Sequence, residues 1–318
     1  MGGRRVGRIS AAALIAAASL ALPLRADDQA PPIYRSEVNL VRLLVTVKNA
    51  NGGLVTNLQR EDFDIHDNGV KQTVAVFERQ TERPLSVSIL LDTSGSTGID
   101  LKQEQDSVLH FASALLDEGN PNDTAALYTF NWQVTLLTSF TRRLTRLEQQ
   151  LQGLRWDAGT SMYDAIFFAA RDLDGRDGRH IMVLVTDGDD TTSAKDFHQA
   201  LEAAQLAEVS VYPVVIVPIT NDAGRNIGGE HALTTIAERT GGRIFLPSSS
   251  AGLEGAFRDL IRELRTQYMI GYYPHDVPPS RNRFHTVKVE LSRPGLRAIT
   301  RSGYYGVAEP DQNGLKRK

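Results

Sequence analysis

The sequence predicts an α/β fold in which a mostly parallel sheet is covered by helices on both faces. Three continuous apolar strands indicate a sheet that is buried on both sides: LSVSILLD (85–92), HIMVLVTDG (180–188) and SVYPVVIVP (210–218). Amphipathic segments with helical spacing separate these strands, as crossover connections between parallel strands require. Near both ends of the chain the pattern changes to alternating apolar and polar residues, which predicts half-buried strands of a second unit.

The flanking strands are expected to form a small β-sandwich-like module. Before the α/β domain, VNLVRLLVTVKN (38–49) alternates with period two, and Asn68-Gly69 is a strong hairpin signal because both residues tolerate positive φ. After the α/β domain, the alternation returns in YMIGYYP (268–274), FHTVKVELS (284–292) and LRAITRSGYYG (296–306). We expect both groups to meet in one module, with the α/β domain inserted between its halves. Two separate small sheets are the alternative.

The N-terminus has the features of an export signal. MGGRRVGRIS (1–10) carries three arginines and no acid, an apolar run follows, and the small residue Ala26 suits cleavage. The run is too short for a typical membrane span, and no later stretch provides one, although a retained anchor is the alternative. We therefore expect an exported protein, periplasmic or secreted, without a stable membrane span after signal removal. The predicted organisation is a signal peptide (1–26), a β segment (37–82), an α/β domain (84–266), a second β segment (267–306) and a tail (307–318).

Composition excludes several kinds of protein. The chain of 318 residues is 41% hydrophobic and 23% charged, which is ordinary for a soluble globular protein. Its net charge of -3 and the absence of a basic stripe argue against nucleic acid as a partner. The chain has no cysteine, which excludes disulfides, thiol catalysis and cysteine metal sites.

Three loops with oxygen-bearing side chains are expected to meet at one edge of the sheet. Ligands of open α/β sheets gather beyond the carboxyl ends of the strands. The first loop holds Asp92, Ser94 and Ser96 at alternate positions, which point the same way in extended chain. The second holds Thr160, directly after a glycine that permits a tight turn. The third holds Asp187 at the end of an apolar strand.

This donor set favours a hard divalent cation. It contains two acids, two serines and one threonine, without nitrogen or sulfur. Such ligands suit Mg²⁺, or Mn²⁺ or Ca²⁺, whereas zinc would require His or Cys. If the hydroxyls bind directly and one or both acids act through water, an octahedral ion keeps one position for an outside ligand. Such an ion stays electrophilic and attracts a further carboxylate.

The arrangement resembles the metal-ion-dependent adhesion site of von Willebrand factor type A domains, the family that includes integrin I domains. That site consists of D-x-S-x-S, then a distant Thr and a distant Asp, and this sequence has DTSGS, AGT and TDG in that order. The resemblance implies a Rossmann-like fold. Position by position, it implies direct contacts to the ion from Ser94, Ser96 and Thr160. Asp92 and Asp187 would act largely through water.

The resemblance covers roughly residues 85–266, with one departure. Ala158 stands where many relatives have Gly, which concerns loop flexibility rather than coordination. Ser161 is an alternative ligand, but we interpret it as the cap of the following helix. We interpret Asp189 and Asp190 as a solvated acidic rim.

Each predicted ligand also has an ordinary structural interpretation. Ser94 and Ser96 could cap the helix that follows them, and Ser-rich turns from strand to helix commonly do so. Asp187 alone could be a turn residue at a strand end. The joint occurrence of all five residues over three loops favours the metal interpretation.

The expected function is protein binding rather than catalysis. The three loops provide no His or Lys as a general base, and SGSTGID lacks the lysine of a phosphate-binding P-loop. We expect the divalent cation to capture an Asp or Glu that a partner protein presents, as in an adhesion module. An Mg²⁺-dependent hydrolase of unfamiliar layout and a structural cell-envelope component are the alternatives.

Overall fold

The computed structural model describes residues 40–79, 82–94, 101–216, 226–278, 280 and 282–306. The predicted signal peptide at 1–26, the predicted ligand Ser96 and the tail at 307–318 lie outside these residues. None of the described helices is both long and apolar enough to cross a membrane.

The secondary structure follows the chain in three groups. The described residues begin with β1 (Val41–Asn49), a 3₁₀ turn (Arg60–Asp62), β2 (Phe63–Asp67), β3 (Val70–Gln72) and β4 (Val74–Glu78). The α/β domain consists of β5 (Leu85–Asp92), α1 (Leu101–Leu116), β6 (Thr124–Phe130), β7 (Val134–Thr141), α2 (Leu144–Leu151), α3 (Met162–Leu173), β8 (Arg179–Thr186), α4 (Phe197–Leu206), β9 (Val209–Val215), α5 (Ile227–Thr240) and α6 (Ser250–Thr266). The last group is β10 (Tyr268–Tyr272), β11 (Phe284–Leu291), β12 (Leu296–Ile299) and β13 (Gly303–Tyr305).

The central sheet of the α/β domain is mostly parallel, as predicted. Its strand order is β7-β6-β5-β8-β9, in which β7 alone is antiparallel to its neighbour. Helices α1, α2 and α6 pack on one face of the sheet, and α3, α4 and α5 pack on the other. Every residue of β5 is therefore buried, which explains why its sequence is apolar almost without interruption.

The flanking strands form the predicted sandwich-like module. One sheet has the order β12-β1-β10-β4 and the other β13-β11-β2-β3, so each combines strands from both ends of the chain. The apolar faces of the two sheets share one core. The hairpin between β2 and β3 turns at Asn68 and Gly69, which both have positive φ. The predicted fold class is therefore confirmed, and the alternative of two separate small sheets is wrong.

Candidate metal centre

Asp92 is a fully buried carboxylate at the end of the central strand β5. Its Oδ2 accepts a hydrogen bond from the hydroxyl of Thr186 at 2.6 Å, and its Oδ1 accepts one from the backbone N–H of Ser94 at 2.8 Å. Burial raises the pKa of Asp92 to about 6 despite these bonds, and the neighbouring carboxylate of Asp187 adds to the rise. A cation at this position would favour the ionised form of Asp92.

Asp187 follows β8 directly and is half-buried beside the end of β5. The preceding residue, Thr186, links the two loops, because its hydroxyl donates to Asp92 and accepts from the backbone N–H of Gly188 at 3.1 Å. Sequence analysis missed Thr186. The sequence signal was only its place directly before Asp187, and the structure shows its contact with Asp92, because the ends of β5 and β8 lie level.

Ser94 is buried and lies against the second loop. It forms an isolated parallel bridge with Asp157, and the backbone N–H of Asp157 donates to the carbonyl of Thr93 at 3.0 Å. These contacts place the segment that leads to Thr160 alongside the first loop.

Thr160, in the second loop, is buried and packs against the third loop. Its carbonyl accepts hydrogen bonds from the backbone N–H groups of Thr191 at 2.8 Å and Thr192 at 3.1 Å, and its own N–H donates to Thr191 Oγ1 at 3.0 Å. Gly159 has φ +80, so the tight turn expected before Thr160 is present. The loop after β8 therefore holds Thr160 in place from one side, while Asp157 lies against Ser94 on the other.

The structure thus brings Asp92, Ser94, Thr160 and Asp187 to one edge of the sheet, and Ser96 lies outside the described residues. Over the described ranges, no three Asp, Glu, His or Cys side chains group in a way that could hold a metal ion. Hydroxyls would therefore have to complete the shell around the two carboxylates. An oxygen-only set of this kind fits Mg²⁺, and the assignment of these residues as ligands stays a prediction.

The structure changes the details of two other predictions about these loops. Ser161 occupies the N-cap position of α3, but its hydroxyl donates to the carbonyl of Trp132 at 3.0 Å and forms no cap bond. The N–H of Tyr163 in the first turn of α3 donates instead to Asp190, at 3.1 Å. Asp190 is half-buried for this reason, and Asp189, also half-buried, accepts from the side chain of Asn226. These two acids are therefore hydrogen-bonded and partly buried rather than fully solvated.

Both tryptophans of the chain lie exposed beside the site. Trp132, in the turn between β6 and β7, is 55% exposed, and Trp156 is 38% exposed. The indole N–H of Trp132 donates to Asp157 at 3.2 Å, which fixes the ring next to the second loop. Sequence analysis gave no role to either residue, because a lone Trp in the pattern is equally typical of a core position.

The comparisons identify the α/β domain. The von Willebrand factor type A domain family matches residues 86–259, and the chain belongs to this family. No curated protein matches the chain. Domains of this family commonly mediate protein–protein adhesion.

Several solved structures are similar to parts of this chain. An aerotolerance-related membrane protein from Bacteroides fragilis is 21% identical with a TM-score of 0.44, over 57% of this chain and 98% of that one. The vWF domain of the type V pili tip protein Mfa5 from Porphyromonas gingivalis is 14% identical with a TM-score of 0.48, over 57% of this chain and 94% of that one. The pilus adhesin SpaC from Lactobacillus rhamnosus GG is 10% identical with a TM-score of 0.49, over 76% of this chain and 47% of that one. The family assignment rests on the match over residues 86–259.

Proposed function

We propose that this protein binds a partner protein through a divalent cation, Mg²⁺ in the first place, at the carboxyl ends of β5 and β8. The observation that supports this most is the fully buried Asp92, which lies beside a second carboxylate, Asp187. Two carboxylates this close repel each other, and a divalent cation would balance their charge.

The residues at this edge of the sheet would contact the ion in two ways, directly and through water. Ser94 and Thr160 would supply direct hydroxyl ligands together with Ser96, and the carboxylates of Asp92 and Asp187 would act largely through water. When bound, the ion would offer a coordination position to the Asp or Glu side chain of a partner. Thr186 would keep Asp92 oriented, because its hydroxyl already holds one carboxylate oxygen at 2.6 Å.

A binding role fits the loops better than hydrolysis. Residues 92–100, 157–161 and 187–193 contain no His and no Lys, so aspartates are the only general bases of the usual kinds in these segments. An exposed aromatic beside the ion is typical of protein interfaces, where Trp is enriched at the positions that matter most for affinity. We therefore assign Trp132 to the partner-binding surface.

The first test is calorimetry of the purified chain with Mg²⁺, Mn²⁺ and Ca²⁺ after treatment with EDTA. We expect saturable uptake of one ion, which Asp92→Ala abolishes. Asp259→Ala, which removes an exposed carboxylate on α6, is the matched control and should leave uptake unchanged. Absence of uptake by the unmodified chain would refute the proposed site.

The second test separates the binder from the alternatives. Capture of a partner from cell-envelope extract that is lost with EDTA and with Asp92→Ala supports the binder. Metal-dependent substrate turnover would support a hydrolase, and a change in melting temperature alone would support a structural envelope component. Trp132→Ala should weaken partner capture at least tenfold while leaving ion uptake unchanged, because the indole contacts Asp157 rather than a predicted ligand.

We also propose that the protein is exported, to the periplasm or out of the cell. The basic and apolar pattern of residues 1–24 supports this. Cell fractionation with N-terminal sequencing tests it, and the expected mature chain begins after Ala26. Recovery of the intact N-terminus from the cytoplasm would contradict the proposal.

A further inference from the structure

A small pocket lined by arginines lies at the edge of the sheet opposite to the candidate metal centre. It has a volume of about 60 Å³. Arg179, the first residue of β8, lines it together with Arg42 of β1, Arg83 before β5 and Arg301 between β12 and β13. Glu208 is the acidic residue in its lining. The sandwich-like module of β1–β4 and β10–β13, called the β module below, and the α/β domain thus both contribute cations to this arginine pocket.

Arg179 is a buried cation for which the described part of the chain offers no ion pair. Its side chain is only 4% exposed, and its two terminal nitrogens donate to Gln267 Oε1 at 3.2 Å and to the carbonyl of Leu264 at 2.8 Å. Burial lowers the pKa of Arg179 to about 10, so the guanidinium keeps its charge at neutral pH. The neighbouring carboxylate of Asp123 is bonded to Arg265 instead, at 2.7 Å. A buried charge of this kind requires compensation.

Two N–H groups in the lining residues lack an acceptor. The Nε atoms of Arg179 and Arg301 are both buried and have no hydrogen-bond partner within the described ranges. The other nitrogens of Arg301 are occupied, because they donate to Glu208 at 3.1 Å and to the carbonyl of Arg42 at 2.8 Å. Buried donors in native proteins nearly always have an acceptor, so a ligand with several acceptor oxygens fits this pair.

We propose that the arginine pocket binds a small inorganic oxyanion, such as phosphate or sulfate, between the β module and the α/β domain. The oxyanion accepts from Nε of Arg179 and Nε of Arg301 and balances the buried charge of Arg179. A volume of about 60 Å³ holds a few water-sized groups, which is sufficient for a small ion. This site is independent of the candidate metal centre, because β8 carries Arg179 at its start and Asp187 after its end.

Calorimetry and thermal unfolding of the full chain in EDTA test this proposal, with sodium phosphate and sodium sulfate as probes and sodium chloride at equal ionic strength as the reference. EDTA removes divalent cations, so the result does not depend on the candidate metal centre. We expect a saturable rise in melting temperature with phosphate or sulfate beyond that with chloride, since a ligand that binds only the folded state stabilises it. No saturable rise beyond the chloride reference would overturn the proposal.

Two variants assign the effect to the pocket. Arg301→Gln should weaken the oxyanion at least tenfold in Kd by calorimetry. Arg42→Gln, at an exposed position of the same lining, should weaken it severalfold and provides a second measurement if Arg301→Gln does not fold. Arg262→Gln is the matched control, because this exposed arginine of α6 lies outside the pocket lining. Unchanged affinity in the pocket variants, or an equal loss in Arg262→Gln, would overturn the assignment.

Discussion

Asp67 of the β module and Asp92 of the α/β domain are both fully buried at the end of a strand, and the two carboxylates have different surroundings. Asp67, at the end of β2, accepts hydrogen bonds from the hydroxyls of Tyr272 at 2.9 Å and Tyr304 at 2.7 Å, and His285 Nδ1 lies 3.1 Å away. Asp92, at the end of β5, has a second carboxylate beside it, which adds to the rise in its pKa. One aspartate is surrounded by donors, whereas the other faces a like charge.

This difference separates a structural carboxylate from a candidate ligand. The donors around Asp67 come from β10, β11 and β13, so the carboxylate joins strands from both ends of the chain. Burial and the charge of Asp67 raise the pKa of both Tyr272 and Tyr304, which therefore stay protonated and continue to donate. Asp92 faces Asp187 without such a set of phenols, and an added cation would stabilise it. Four predictions test this contrast.

The largest effect is expected for Asp67→Ala. The change leaves two tyrosine hydroxyls without their acceptor in a buried site, and we expect the free energy of unfolding to fall by about 3–5 kcal/mol. Urea unfolding measures the loss. Ion uptake by the folded fraction should be unchanged, because Asp67 belongs to the β module. A loss below about 1 kcal/mol would show that Asp67 does not stabilise the β module, and the proposed difference between Asp67 and Asp92 would then be wrong.

The second-largest effect is the pH dependence of stability that Asp92 should produce. Because burial raises the pKa of Asp92 from 3.8 to about 6, the folded state binds more protons than the unfolded state between these values. In EDTA, this group should therefore lower the free energy of unfolding by about 3 kcal/mol as the pH rises from below 4 to above 6. Mg²⁺ should oppose the loss, since it binds the ionised carboxylate.

Urea unfolding at several pH values in EDTA measures this effect as the difference between the unmodified chain and Asp92→Asn. The variant removes the titration, so its stability relative to the unmodified chain should rise across the same pH range. If the free energy of unfolding had the same pH dependence in the two proteins, the pKa of Asp92 would be ordinary. Its carboxylate would then not require a cation for stabilisation.

A smaller effect is expected from single hydroxyls around Asp67. Tyr272→Phe removes one fully buried hydrogen bond to a charged group, and we expect a loss of about 2 kcal/mol in the free energy of unfolding. Tyr304→Phe should cost less, because Tyr304 is only partly buried and water can replace its hydroxyl. Equal losses measured by urea unfolding would show that burial does not set the strength of these bonds.

The sequence predicted most of the fold because periodicity reports local burial. The continuous apolar run of β5 follows from its burial on both faces, and the alternation near both chain ends follows from strands with one buried face. The hairpin at Asn68 and Gly69 was predictable because its turn requires positive φ at both residues.

The contacts that define the two aspartates were not predictable in the same way. In the sequence, Asp67 has the pattern of an ordinary acidic residue before a turn. Its hydrogen-bond partner Tyr304 is 237 residues away in the chain. Thr186 became meaningful only when the register of β5 and β8 placed it beside Asp92. Periodicity gives the face of each residue but not its long-range partner, so these pairs required the three-dimensional structure.

The smallest effect is expected for substitutions of two glycines that have nearly the same positive φ. Gly159 precedes Thr160 and has φ +80, and Gly69 in the β2–β3 hairpin has φ +83. Alanine at either position should lower the free energy of unfolding by about 1 kcal/mol, because an L-residue disfavours this conformation. At Gly159 the added Cβ would also lie 3.0 Å from Cβ of Trp132, whereas at Gly69 it meets nothing within 4 Å.

Gly159→Ala should therefore cost about 1 kcal/mol more than Gly69→Ala in urea unfolding, since the new methyl group must displace its neighbours. The displacement acts on the loop that holds Thr160, so ion uptake measured by calorimetry should weaken in Gly159→Ala alone. Equal ion affinity in the two variants would mean that the position of Thr160 is irrelevant to the ion. The shell would then have to be built without this hydroxyl, around the carboxylates of Asp92 and Asp187.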